Sequence, residues 1–76
     1  MLLVKDVVKI ITHDGWQLIA MRGPHWQFVH STKPGRVTIS SQLRHELSRG
    51  AVKSIARQTQ LSIKERRQDG ALSGSR

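Results

Sequence analysis

The chain is predicted to fold as an α+β domain, a three-stranded antiparallel sheet with two helices on one face, in the order α-β-β-β-α. Three observations carry that expectation. Apolar residues near both ends of the body recur at helical spacing. The middle holds three short runs of strand composition, and glycine-centred turns separate them. A hairpin-connected sheet flanked by amphipathic helices buries one face beneath them and leaves the other face for a partner.

The first helix is expected from about Val4 to His13. Val4, Val7, Val8 and Ile11 share one face, and Ile10 widens the stripe. These β-branched residues are weak helix formers, so tertiary packing has to hold the element. Asp14-Gly15 follows, with Gly15 placed as the left-handed residue that ends a helix. Trp16 to Arg22 reads as a strand bounded by Gly15 and Gly23. Gly23-Pro24 reverses the chain into a second strand, His25 to His30. There Trp26, Phe28 and His30 alternate with His25, Gln27 and Val29. Lys33-Pro34-Gly35-Arg36 suits a type II turn, in which Gly35 supplies the positive φ. The third strand runs from Arg36 to Ser40. Beyond a polar loop, Ser48 caps a second helix that reaches about Thr59 and buries Val52, Ile55, Ala56 and Thr59. Residues 1–61 form the expected domain. Residues 62–76 are polar and basic, and a frayed or disordered tail is expected there.

Composition narrows the function. Seventy-six residues hold one domain, and the absence of cysteine excludes disulfides and thiolate metal sites. Met1-Leu2-Leu3-Val4 is apolar, but Lys5 and Asp6 interrupt it, too soon for a signal-peptide core or a membrane span. The expected compartment is the cytoplasm. Thirteen Lys and Arg against five Asp and Glu give a formal net charge of +8. Setting aside Lys64, Arg66, Arg67 and Arg76 near the end still leaves nine basic residues against Asp6, Asp14 and Glu46. The excess belongs to the body. It points first to a nucleic acid and second to an acidic protein or membrane surface.

Of the four histidines, none shows the i, i+4 spacing of a helical metal site. No metal and no cofactor is expected. His25 and His30 lie five apart in one strand and so point to opposite faces. His25 opens its strand just after the turn, between Arg22 and Trp26. RNA cleavage needs a group that takes the proton of a 2′-hydroxyl or delivers one to the leaving oxygen. Histidine, with a reference pKa of about 6.5, suits both tasks. Arg22 or Arg36 can supply a cation for the charge that develops on phosphorus oxygens. On local sequence alone, an ordinary surface histidine stands as the alternative.

Arg49, Lys53 and Arg57, spaced four apart, form a basic stripe on the second helix. Like charges at that spacing cost a helix about 0.2–0.5 kcal/mol per pair, a penalty that a bound phosphate backbone reverses. A plain solvated face is the competing interpretation. Lys33 and Arg36, beside the second turn, extend the basic surface. Trp16 reads as core. Trp26 either stacks on a base or, sharing its parity with Phe28, packs inward.

The order Asp14-Gly15-Trp16, Gly23-x-His25, Phe28-x-His30, Lys33-Pro34-Gly35, Leu47-x-x-Gly50 and a short helix resembles the HicA toxins over roughly residues 4–61. The resemblance implies a fold like that of double-stranded-RNA-binding domains and a metal-independent endoribonuclease that cleaves messenger RNA. It places the catalytic histidine at His25. With that function, the RNA contacts expected from the local reading are Arg22, Gly23 and Trp26 near the turn, with Lys33, Arg36 and the Arg49-Lys53-Arg57 stripe beyond. The resemblance also implies a HicB-type antitoxin that covers the site and binds operator DNA itself, so direct DNA binding by this chain is not expected. Two departures stand out. Pro24 replaces the family's usual serine, removing a hydroxyl and a backbone N–H. Ser40-Ser41-Gln42 replaces a common proline and histidine after the third strand. A binding module of the same fold that does not cleave, and a small ribonucleoprotein component, are the rival functions.

Overall fold

The computed structural model describes residues 1–63. Residues 64–76 of the expected tail, with Lys64, Arg66, Arg67 and Arg76, lie outside the described residues. Helix α1 (Val4–His13) is followed by strands β1 (Gln17–Arg22), β2 (His25–Val29) and β3 (Arg36–Ser40), then helix α2 (Arg49–Thr59). The strands form one antiparallel sheet in the order β1-β2-β3. This is the expected α+β architecture, and it is consistent with a double-stranded-RNA-binding-domain fold.

The first amides of α1 would be orphaned without acceptors. The loop before α2 supplies them: Val4 N–H donates to the His45 carbonyl and Lys5 N–H to that of Leu43, both at 2.9 Å. The Leu3 amide donates to the Asp6 carboxylate at 2.8 Å. Val4, Val7 and Ile11 are fully buried, the face that the spacing marked. At the other end Gly15 adopts φ +109°. Its amide donates to Thr12 O at 3.1 Å, and the Trp16 amide donates to Ile11 O at 3.0 Å. Those two bonds make a Schellman motif, and buried Trp16 and Ile11 are its apolar pair. Trp16 therefore closes the helix rather than opening the strand, and β1 begins one residue later than the composition suggested.

Helix α2 starts as expected, with Ser48 Oγ accepting from the Ala51 amide at 3.1 Å. It ends on a second Schellman motif built around Gln60 at φ 59°, closed by a 3.0 Å bond from the Leu61 amide to Ala56 O. Leu61 and Ile63 pack against the core, which places Ile63 in the packed body rather than in the tail. The core itself joins Val4, Val7 and Ile11 of α1 to Trp16, Phe28, Val37, Ile39 and Ile55. Both helices contact β3, whereas β1 lies at the free edge with Leu18, Ile19 and Met21 exposed. A bulge at Ile19 interrupts the β1–β2 register and breaks the regular edge.

Opposite the hairpin turn, His30 follows β2 and faces the core side, where it meets Trp16 edge-on at a centroid distance of 5.4 Å. Its Nδ1 accepts from the amides of Thr32 at 3.0 Å and Lys33 at 3.2 Å. An acceptor carries no proton, so Nε2 is the donor, to the Asp14 carbonyl at 2.7 Å. Lys33 Nζ then donates to the Asp14 carboxylate at 2.7 Å and to the Thr59 carbonyl at 2.9 Å. The end of α1, the β2–β3 loop and the end of α2 are thus tied together.

The Lys33 ammonium bonded to Asp14 holds the Asp14 carboxyl below its usual range, against a smaller opposing effect of desolvation. A lowered carboxylate pKa stabilises the fold above the unfolded value, and that contribution disappears as pH falls through the folded value. The melting-temperature difference between the parent and Asp14→Asn is therefore expected to stay constant from neutrality to about pH 5. It should shrink below about pH 4, near the ordinary carboxyl value of 3.8. A difference that persists undiminished to pH 2 would show that the ionised carboxylate stabilises nothing.

Candidate active site at the hairpin end

Gly23 at φ 58° followed by proline gives the sign pattern of a type II′ turn, which matches the twist of the strands it joins. Arg22 and His25 are the register pair that closes this hairpin. On its other side His25 is in register with Ser40 of β3. Directly opposite residues share a face, so Arg22, His25 and Ser40 form one row across the sheet. Trp26 and Phe28 alternate onto the helix-covered face, which leaves this row on the open one.

The His25–Ser40 pairing is of the closer kind. Ser41 N–H donates to the Pro24 carbonyl at 2.8 Å. A bond between the residue after one partner and the residue before the other marks a non-hydrogen-bonded pair, with Cα atoms about 4.5 Å apart. Ser40 is half-buried, and its Oγ accepts from the Gln42 amide at 3.0 Å. Arg22 and His25 are exposed. Along the same face, Gln27 pairs with Thr38 and Val29 with Arg36. The Arg36 guanidinium donates to Gln27 Oε1 at 3.0 Å.

The hairpin end collects more than the turn. β3 ends there, and the loop of residues 41–47 crosses from Pro24 to the start of α1 before entering α2. Lys5, Arg44, His45 and Arg49 consequently lie at the same end as Arg22, all of them exposed. Arg44 and His45 were only part of a polar loop by sequence, because nothing periodic relates them to His25.

The other sequence-marked residues are distributed differently. Gly23 shapes the turn and leaves open space where a Cβ would stand. Trp26 packs partly against the core on the face away from His25. Lys33 lies at the opposite end, with its ammonium held by Asp14 and Thr59. Arg49, Lys53 and Arg57 belong to a helix on the covered side of the sheet, so their stripe shares no face with His25, and only Arg49 is at the hairpin end. His30 is on the core side, as its spacing from His25 required. Among the described residues no group of three His, Asp or Glu is placed to hold a metal ion.

A family model described as the HicA toxin of bacterial toxin–antitoxin systems matches residues 4–61. The chain belongs to the HicA toxin family. The matched span runs from the first residue of α1 to Leu61, which closes α2, so the whole fold is the HicA unit. No curated protein matches the chain. Among the described residues no helix is long and apolar enough to cross a membrane.

Proposed function

We propose that this HicA toxin is a metal-independent endoribonuclease acting on messenger RNA in the cytoplasm, with His25 as its catalytic histidine and a HicB-type antitoxin as its inhibitor. The observation that carries this reading is the row Arg22–His25–Ser40. It puts an exposed imidazole between a guanidinium and a hydroxyl on a sheet face that no helix covers. His25 accepts the 2′-hydroxyl proton as the O2′–P bond forms. The P–O5′ bond breaks, and the leaving oxygen takes up a proton. Arg22 offsets the charge gathering on the phosphorus oxygens. Arg44 and Arg49 hold flanking phosphates at the same end, and Arg36 holds others along the open face. An antitoxin that covers the hairpin end closes the site to RNA.

Structured RNA incubated with the protein in EDTA tests this. The expected products end in a 2′,3′-cyclic phosphate and a 5′-hydroxyl. Products with a 5′-phosphate would require attack by water and would overturn the mechanism. Pro24, which offers neither a hydroxyl nor an N–H beside the phosphate, favours a second reading, a binding module. RNA that is retarded on a gel yet remains intact in every buffer would establish it.

A further inference from the structure

We infer that Ser40 is part of the catalytic site, its hydroxyl donating a hydrogen bond to a non-bridging oxygen of the RNA phosphodiester that the 2′-hydroxyl deprotonated by His25 attacks. The inference rests on the assignment of His25 as the catalytic histidine, and it names a residue that sequence spacing could not relate to it. Register comes first: Ser40 is the residue of β3 opposite His25, in the closer type of pair. No other hydroxyl on or just past β3 is as near, since Thr38 belongs to the next row and Ser41, one residue beyond the strand, alternates away.

Geometry also sets the direction of the hydroxyl. The Ser40 oxygen is engaged as an acceptor from the Gln42 amide. Its own proton is then left to donate elsewhere, and the side chain belongs to the open face. The Ser41–Pro24 bond holds the end of β3 against the turn, so the hydroxyl is placed before the substrate arrives. Adjacent strands are about 4.8 Å apart. A phosphate above His25 therefore has Ser40 on one side, and the longer Arg22 side chain reaches it from the other. Gly23 and Pro24 offer no hydroxyl at the turn, so Ser40 is the uncharged donor beside the imidazole. In the reaction Ser40 neither gains nor loses a proton. The 2′-hydroxyl proton goes to His25, and Ser40 steadies the charge that builds as O2′–P forms and P–O5′ breaks.

Single-turnover cleavage in EDTA by the full chain, Ser40→Ala, Ser40→Thr and His25→Ala tests the assignment, alongside melting temperature and affinity for an RNA with 2′-deoxyribose at the cleavage site. Ser40→Ala is expected to slow cleavage about 100-fold, the lower end of what one such donor contributes. Its melting temperature should fall only modestly, because the Gln42 amide that loses its acceptor is exposed to water. Its affinity for the uncleavable RNA should change by less than about threefold, because the bond strengthens as charge develops. Ser40→Thr, which keeps the hydroxyl, should restore most of the rate. Cleavage by Ser40→Ala at the parental rate would overturn the assignment and leave His25 standing. So would a loss that Ser40→Thr fails to restore, or one that unfolding of Ser40→Ala at the assay temperature accounts for. A parent chain that cuts no RNA would overturn both assignments together.

Discussion

Replacing His25 by alanine is expected to lower RNA cleavage by about 100- to 10,000-fold, the usual contribution of one general acid–base group. The melting temperature should stay close to the parent's. The ring is exposed, and it makes no hydrogen bond among the described residues, so truncation leaves neither a cavity nor a stranded partner. Changes at such surface positions usually alter stability by no more than about 0.5 kcal/mol. RNA affinity should fall only slightly, because the phosphate contacts proposed at this end come from Arg22, Arg44 and Arg49. His45 lies in the loop at the same end and is the natural control. A His25→Ala protein that cuts at the parental rate while His45→Ala does not would move the catalytic role into that loop.

Both helices, all three strands and the placement of His25 and His30 on opposite faces were readable from local patterns. The α1 stripe of Val4, Val7 and Ile11 is intrinsic to helical spacing, and the turn glycines at 15, 23 and 35 all carry positive φ. What escaped was set by contacts distant in sequence. Ser40 meets His25 only because the β2–β3 loop fixes a particular register, and no local pattern states a register. Lys33 counts as one more positive charge along the chain. In the fold its ammonium is consumed by a carboxylate 19 residues away and a carbonyl 26 residues away. The basic stripe of α2 was correctly periodic, yet periodicity cannot tell which side of the sheet a helix covers. Trp16 has strand composition but serves the helix before it, since closing a Schellman motif needs an apolar residue just after the glycine.

The opposite response is expected at His30, the histidine just after the same strand. His30→Ala should destabilise the fold by about 2–4 kcal/mol, combining lost hydrogen bonds, stranded partners and a cavity beside Trp16. For a domain of this size that corresponds to a fall in melting temperature of about 10–25 °C. The ring has three jobs at once. Nε2 satisfies the carbonyl of Asp14 at the helix end, Nδ1 receives two loop amides, and the ring edge packs on Trp16. His30→Leu separates these effects, since it refills most of the volume but leaves the Asp14 carbonyl and both amides without their partner. It should recover only part of the loss. Gly15→Ala attacks the same tie from the other side: its Cβ would stand 2.9 Å from His30 Nε2 on a backbone at φ +109°. At a temperature where His30→Ala is still folded, its cleavage rate per folded molecule should remain near the parent's, because the ring lies on the face opposite His25. A His30→Ala protein that melts with the parent but fails to cut would reverse the two roles and place the chemistry beneath the helices.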